Sequence, residues 1–241
     1  MKKTTKIQFI LALFVLLLGT SSCLDEMFIE GNGISRTETR NAEGFNEIAS
    51  NGDFTVTVMP GNSYSVEITA ESNLLPYIST NVDGKTLKIK TTGIHSLRQT
   101  EPIEIYITTP VLNGLSLSGS GLIETGSFLS SDFDLAVSGS GDIKTKISSD
   151  KIKANVSGSG TILIEGDATN TNFVISGSGK IKTYNLLQNQ CQAAISGSGD
   201  MYVNASQLID ARISGSGRVY FISHPVIRTS ISGSGDVVDK N

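Results

Sequence analysis

The residues able to do chemistry are few in this 241-residue chain, and their spacing limits what they can do. His95 and His224 are the two histidines, far apart and each without a ligand-spaced neighbour, whereas zinc or a nucleophilic triad needs several convergent groups. Both read as loop histidines. Cys191 alternates with Ala193 and Ile195, so it reads as a small buried hydrophobe and not a nucleophile. Asp142, Asp200 and Asp236 each follow a Gly-Ser-Gly element, as calcium ligands do in nonapeptide solenoids. The equivalent places elsewhere hold Leu122, Thr161, Lys180 and Arg218, which excludes calcium at every turn. The Gly-x-Gly elements invite a phosphate, but a phosphate cradle needs a helix directly after the loop, and here an extended pattern follows. No cofactor or metal is expected. The charges Asp142, Lys144, Lys180, Lys182, Asp200 and Arg218 are mixed in sign, and no recurring pair predicts a catalytic cleft. What remains is a hydroxyl array: Ser138, Ser140, Ser157, Ser159, Ser176, Ser178, Ser196 and Ser198, with Tyr202 and Tyr220 in matching positions beyond it. Such an array suits a repetitive glycan or protein ligand, and it is equally readable as solvated corners.

These serines belong to a tetrapeptide, Ser-Gly-Ser-Gly, that starts at Ser118, Ser138, Ser157, Ser176, Ser196, Ser214 and Ser232. A spacing of 18 to 20 residues is the mark of stacked supersecondary units. A flexible Gly/Ser linker has no reason to carry apolar residues in register. Here Leu117, Val137, Val156, Ile175, Ile195, Ile213 and Ile231 precede the motif. Ile123, Ile143, Ile162, Ile181, Met201, Val219 and Val237 follow it two residues on. Parity extends the pattern: Cys191, Ala193, Ile195, Gly197, Gly199, Met201 and Val203 fall on alternate residues and so share one face of an extended strand. The glycines are read as tight corners with unusual φ, the serines as outward ladders, and the intervening segments, such as 126–132 and 165–170, as variable return loops. The prediction is an all-β fold, a parallel β-solenoid (β-helix) with rungs of about 19 residues over 116–241. An aromatic content of 6% with no Trp suits stacked aliphatic columns.

Residues 1–22 read as a secretory signal: Lys2, Lys3 and Lys6 precede the apolar run Ile7 to Gly19, which is short for a membrane span. Small residues then lead into Cys23, which resembles the bacterial lipobox and implies cleavage before Cys23 and lipidation of it. Asp25 and Glu26 look like the acidic export tag of Bacteroidetes surface lipoproteins. The expected location is a lipid anchor in the outer membrane, on the cell surface or the periplasmic face. With Cys23 lipidated no intrachain disulfide can form. Loss of the signal leaves 16 basic against 23 acidic residues, about −7, which speaks against nucleic acid and a basic membrane patch. Residues 23–43 read as the lipidated cysteine and a polar tether. Residues 44–115 read as a less regular β-rich continuation or cap, with a hairpin turn at Asp83-Gly84 and at most one short helical turn between Glu71 and Ile78. Beyond the seventh motif only six residues remain, so the last rung is expected to be uncapped, shielded by Asp236, Asp239 and Lys240 or docked on another subunit as a homo-oligomer.

The chain resembles the auto-transporter adhesin, head GIN domain family of Bacteroidetes lipoproteins. The resemblance is carried by Phe54-x-Val56-x-Val58, Asn73-Leu74-Leu75, Asp83-Gly84-x-x-Leu87-x-Ile89 and Leu112-x-x-Leu115-x-Leu117-Ser-Gly-Ser-Gly with its later copies, roughly residues 44 to 238. It implies a β-solenoid surface or periplasmic lipoprotein and suggests adhesion. A non-catalytic binding module is therefore expected, the alternatives being a carbohydrate-active β-helix enzyme and a passive structural protein of the envelope.

Overall fold

Aliphatic side chains recurring at nearly equal intervals can be buried together only if successive coils lie in register, and they do. The computed structural model describes residues 28–93 and 96–241. Short strands come first: β1 (Phe28–Glu30), β2 (Ser35–Arg40), β3 (Glu47–Asn51), β4 (Thr55–Pro60), β5 (Ser65–Glu71), β6 (Ile78–Asp83), β7 (Thr86–Thr91), β8 (Ser96–Arg98), β9 (Glu104–Thr109) and β10 (Gly114–Gly119). Five long strands follow, one per coil: β11 (Leu122–Gly139), β12 (Asp142–Gly158), β13 (Thr161–Gly177), β14 (Lys180–Gly197) and β15 (Asp200–Gly215). The chain closes with β16 (Arg218–Ile222), β17 (Val226–Gly233) and β18 (Asp236–Asp239). Neighbouring coils pair in parallel, Val156 with Ile175 and Ile175 with Ile195, and all three side chains are buried. This is the expected β-solenoid.

The two glycines of each corner have separate duties. The first sits at positive φ, +122° at Gly177, and a Cβ there would come within 2.6 Å of the Gly158 carbonyl oxygen. The second is buried, and at Gly199 a Cβ would lie 2.6 Å from Ile175 Cγ2, the aliphatic side chain before the preceding motif. The apolar residue before one motif thus fills the space that the next coil's second glycine leaves empty.

The expected return loops are not loops. Segments 126–132 and 165–170 lie inside β11 and β13 and are paired coil to coil, as in Ser148 with Asp167 and Lys151 with Asn170. Differences in coil length are absorbed by local register shifts, between Glu124 and Ser127 and between Leu163 and Gly166, instead of by excursions. Turn-type residues signal a bend, and a bend inside a continuous strand satisfies its backbone through the neighbouring coils.

The N-terminal half supplies further coils in an unexpected order. β3 lies between β10 and β7, parallel to both, and β4 lies between β11 and β9 in the same way. The corner joining β3 to β4 carries one positive-φ glycine, Gly52, where its neighbour has Ser-Gly-Ser-Gly, and buried Phe54 occupies the place of the second glycine. Antiparallel strands finish this end: β6 pairs with β7 through a hairpin at Gly84, and β5 pairs with β9. A single 3-10 turn, Leu75–Tyr77, lies between them.

Residues 28–40, expected as part of a tether, instead carry β1 and β2. β2 runs antiparallel to β5 as an exposed edge strand, and β1 pairs with β8. Alternating charges, Arg36, Glu38 and Arg40, suit a solvent-facing edge as well as they suit a tether, and composition does not separate the two. A buried carboxylate fastens this layer. Glu71 accepts hydrogen bonds from the backbone N–H groups of Gly33 (2.6 Å) and Thr100 (2.9 Å) and from the Thr100 hydroxyl (2.8 Å). Those backbone donors, Gly33 first, hold its carboxyl below the ordinary 4.5. A depressed carboxyl contributes stability at neutral pH that is lost as pH falls through its folded value. In thermal melts from neutral pH to about pH 3, the wild type should therefore lose more stability than Glu71→Gln, which starts lower and has a flatter acid limb; parallel pH profiles would remove this role.

Candidate functional site

Three outward surfaces of the stack carry repeating side chains. The first is the Ser-Gly corner. Ser118, Ser138, Ser157, Ser176, Ser196, Ser214 and Ser232 are aligned by parallel pairing, and from Ser138 onward these serines are exposed. Ser140, Ser159, Ser178 and Ser198 form a second exposed row, their N–H groups bonded to glycine carbonyls one coil back. The hydroxyls of both rows point away from the core and make no hydrogen bond that fixes them into a pocket.

The second surface holds the tyrosines. Tyr202 and Tyr220 are paired in register and stacked, ring centroids 5.1 Å apart at 18°. Tyr184 meets Tyr202 edge-on at 5.5 Å, and the Lys240 ammonium lies 5.5 Å from the Tyr220 ring. Burial, with neighbouring negative charge from Asp200 or other phenols, raises Tyr202 and Tyr184 above the ordinary phenol value. Stacked faces are turned toward one another, so the ladder welds the last coils together and leaves little face for a sugar ring. The charged positions of this surface act between coils as well: Lys144 pairs with Glu124 (2.7 Å) and Lys146 with Glu165 (3.4 Å), each pair on adjacent strands.

The third surface lies along the bend that the sequence suggested as loops. Here the stack is concave, and a groove of about 850 Å³ runs across β11 to β15 toward Ser223. One wall is the register row Leu129, Ser148, Asp167 and Leu187, with both leucines exposed (80% and 68%). The other wall carries Ser131, Asp150, Thr169, Asn189 and Ser206. Between them the largely buried Ser149, Ala168 and Gln188 form the floor. Both polar atoms of Gln188 are engaged: its Oε1 accepts from Thr171 Oγ1, and its Nε2 donates to Thr183 Oγ1 (3.3 Å). This polar pocket inside an aliphatic column fits the extra residue of the 20-residue coil without an orphaned group.

Sequence reasoning missed the groove. A signal was present, since Ser130-Ser131, Ser148-Ser149-Asp150, Asp167-Ala168-Thr169 and Gln188-Asn189 recur with the motif period, but polar periodicity alone does not distinguish a concave bend from turns. Other sequence-level readings can be placed. Cys191 is buried in the column of Ile152, Thr171 and Ile209, and burial pushes its thiol up to about 12, so it stays protonated. His224 is exposed, whereas His95 and Cys23 lie outside the described residues. Among the described residues no cluster of three or more His, Cys, Asp or Glu is arranged to hold a metal, and no helix is long and apolar enough to cross a membrane.

A family model described as "putative auto-transporter adhesin, head GIN domain" matches residues 44–225. The chain belongs to this family. The match takes in coils of the N-terminal half and the first six of the seven serine motifs, and ends before the last. No curated protein matches. Among solved structures, a "putative adhesin" from Bacteroides fragilis is 24% identical, with a TM-score of 0.83 over 88% of this chain and all of that one. A "putative lipid binding protein" from Parabacteroides distasonis is 24% identical, with a TM-score of 0.78 over 89% of this chain and all of that one. A third, a "putative adhesin" from Parabacteroides merdae, is 18% identical, with a TM-score of 0.73 over 89% and 99%. At these identities the likeness is one of fold: the head GIN domain is a β-solenoid with its N-terminal layer included.

Proposed function

We propose that this head GIN domain protein is a non-catalytic binding module of the cell envelope, an adhesin held to the outer membrane by a lipid on Cys23. The observation that carries the reading is the groove: a concave polar surface repeated over at least five coils. Family membership and the names of the structural neighbours support binding in general, of a glycan, a protein or a lipid. No nucleic-acid partner is proposed, in keeping with the acidic balance. The soluble fragment 24–241 on glycan and matrix-protein arrays should show saturable binding to one class of ligand, and an array without any hit would sink the reading. Hydrolysis of a polysaccharide in the same screen would move the protein to the enzyme class, with Asp150 and Asp167 the first carboxylates to replace.

The far end of the stack supports a second partner. Among the described residues β17 and β18 have no strand beyond them, and Ile231 is 41% exposed where its counterparts Ile213 and Ile195 are buried. The N-terminal end finishes in antiparallel strands, whereas the C-terminal end exposes an aliphatic column that is buried in the earlier coils, so the proposed contact joins the C-terminal ends of two copies. Sedimentation of the fragment should show a two-fold dimer at high concentration, and a monomer throughout would remove this part.

A further inference from the structure

We infer that the groove is built for a neutral, extended polysaccharide lying along the solenoid axis, about one sugar per coil. The inference rests on the proposed binding role and names its ligand. Four features of the groove lead to it.

The step is set by the fold. Parallel coils repeat at roughly 4.8 Å, so the five inter-coil steps from Ser130 to Ser223 span about 24 Å. An extended pyranoside chain advances by nearly the same distance per residue. A sugar polymer can therefore meet one wall position per coil at each step without losing register.

The wall chemistry suits sugar hydroxyls and little else. Ser148, Asp150, Asp167, Thr169 and Asn189 offer hydroxyl, carboxylate and amide groups, and they alternate on two rows either side of the floor. A carboxylate accepts from two adjacent sugar hydroxyls, and amides and hydroxyls both donate and accept. The exposed Leu129 and Leu187 sit on one wall, where the C–H face of a pyranose can lie against them. A solvent-facing leucine repeated on one wall of a polar groove is otherwise a cost to solubility.

Charge selects against polyanions. The charged groups lining the groove are Asp150 and Asp167, with no lysine or arginine among the lining residues. A uronate or sulfated chain would face two like charges and gain no ion pair.

The backbone argues against a peptide. Strand addition needs a free row of N–H and C=O groups, and along the groove those groups are paired from coil to coil, as at Ser130 with Ser149 and Ser149 with Ala168. Recognition there must come from side chains alone.

The test is calorimetry of fragment 24–241 with cello- and manno-oligosaccharides of increasing length, polygalacturonate serving as the anionic comparison. Affinity should rise with each added sugar and level off at about five, and polygalacturonate should not bind. Leu187→Arg and Thr169→Arg, on opposite walls and both solvent-facing, should each weaken binding about tenfold or more while the circular dichroism spectrum and melt stay unchanged. Ser176→Arg, on the Ser-Gly corner, should bind as wild type. Wild-type affinity in both groove variants, or tighter binding of the polyanion, would overturn the inference. Array binding by a protein but by no neutral glycan would also overturn it while leaving the binding role standing; silence on every array would remove both.

Discussion

Gly177→Ala destabilises the stack by about 3 kcal/mol or more, while Ser178→Ala, one residue on, changes stability by less than about 0.5 kcal/mol. Both residues lie in the same corner, and sequence composition alone would treat them as equal parts of a polar linker. Alanine at position 177 must accept φ near +122°, a region an L side chain rarely adopts, and its Cβ must also displace the Gly158 carbonyl of the coil beneath. That carbonyl accepts the Ser178 N–H at 2.9 Å, so moving it disturbs the coil-to-coil hydrogen bonding of the corner. Ser178 itself is exposed, and only its backbone is engaged. Position along the axis should matter too. Gly233 has nearly the same φ, but among the described residues no coil is stacked beyond its own, so Gly233→Ala frays one end instead of splitting the stack. Urea unfolding followed by circular dichroism separates these cases, and equal midpoints for Gly177→Ala and Ser178→Ala would dismiss the corner account.

Phe173→Ala costs roughly 3–5 kcal/mol, the usual range for removing a buried aromatic side chain from a packed core. Phe173 is fully buried in a column where its neighbours on either side are Ala154 and Ala193. Further along the same column Leu115 and Leu135 are stacked on each other, and Ala211 follows Ala193. One large residue between two small ones fills the interior because the ring spreads into the space over both neighbours. The column fixes volume, not identity. Ala193→Leu placed on the Phe173→Ala background should therefore recover part of the loss, although Ala193→Leu alone, against the intact phenylalanine, should destabilise by overpacking. If the double variant is less stable than Phe173→Ala, the two residues do not share one cavity.

The three repeating surfaces were legible to different degrees. The serine rows lie where parity placed them, because exposure of alternate residues is a local property of an extended strand. The tyrosines share a row as expected, but their ring-to-ring stacking, which turns their faces inward, follows from the contact of two side chains on different coils. The groove was not legible, since concavity depends on how the coil bends as a whole. The same Ser, Asp and Thr residues on a convex edge would make no groove.

The sequence alone determined the repeat, its period, which residues face inward and where glycine is indispensable, because alternation and coil length are written residue by residue. Tertiary structure alone decided that β3 stacks between β10 and β7 and β4 between β11 and β9, out of chain order, and that residues 28–40 join the fold as strands. It also decided that one bend is concave. Each of these rests on pairing between segments distant in the chain, where many partners would satisfy the same hydrogen bonds and only the fit of the buried columns selects one.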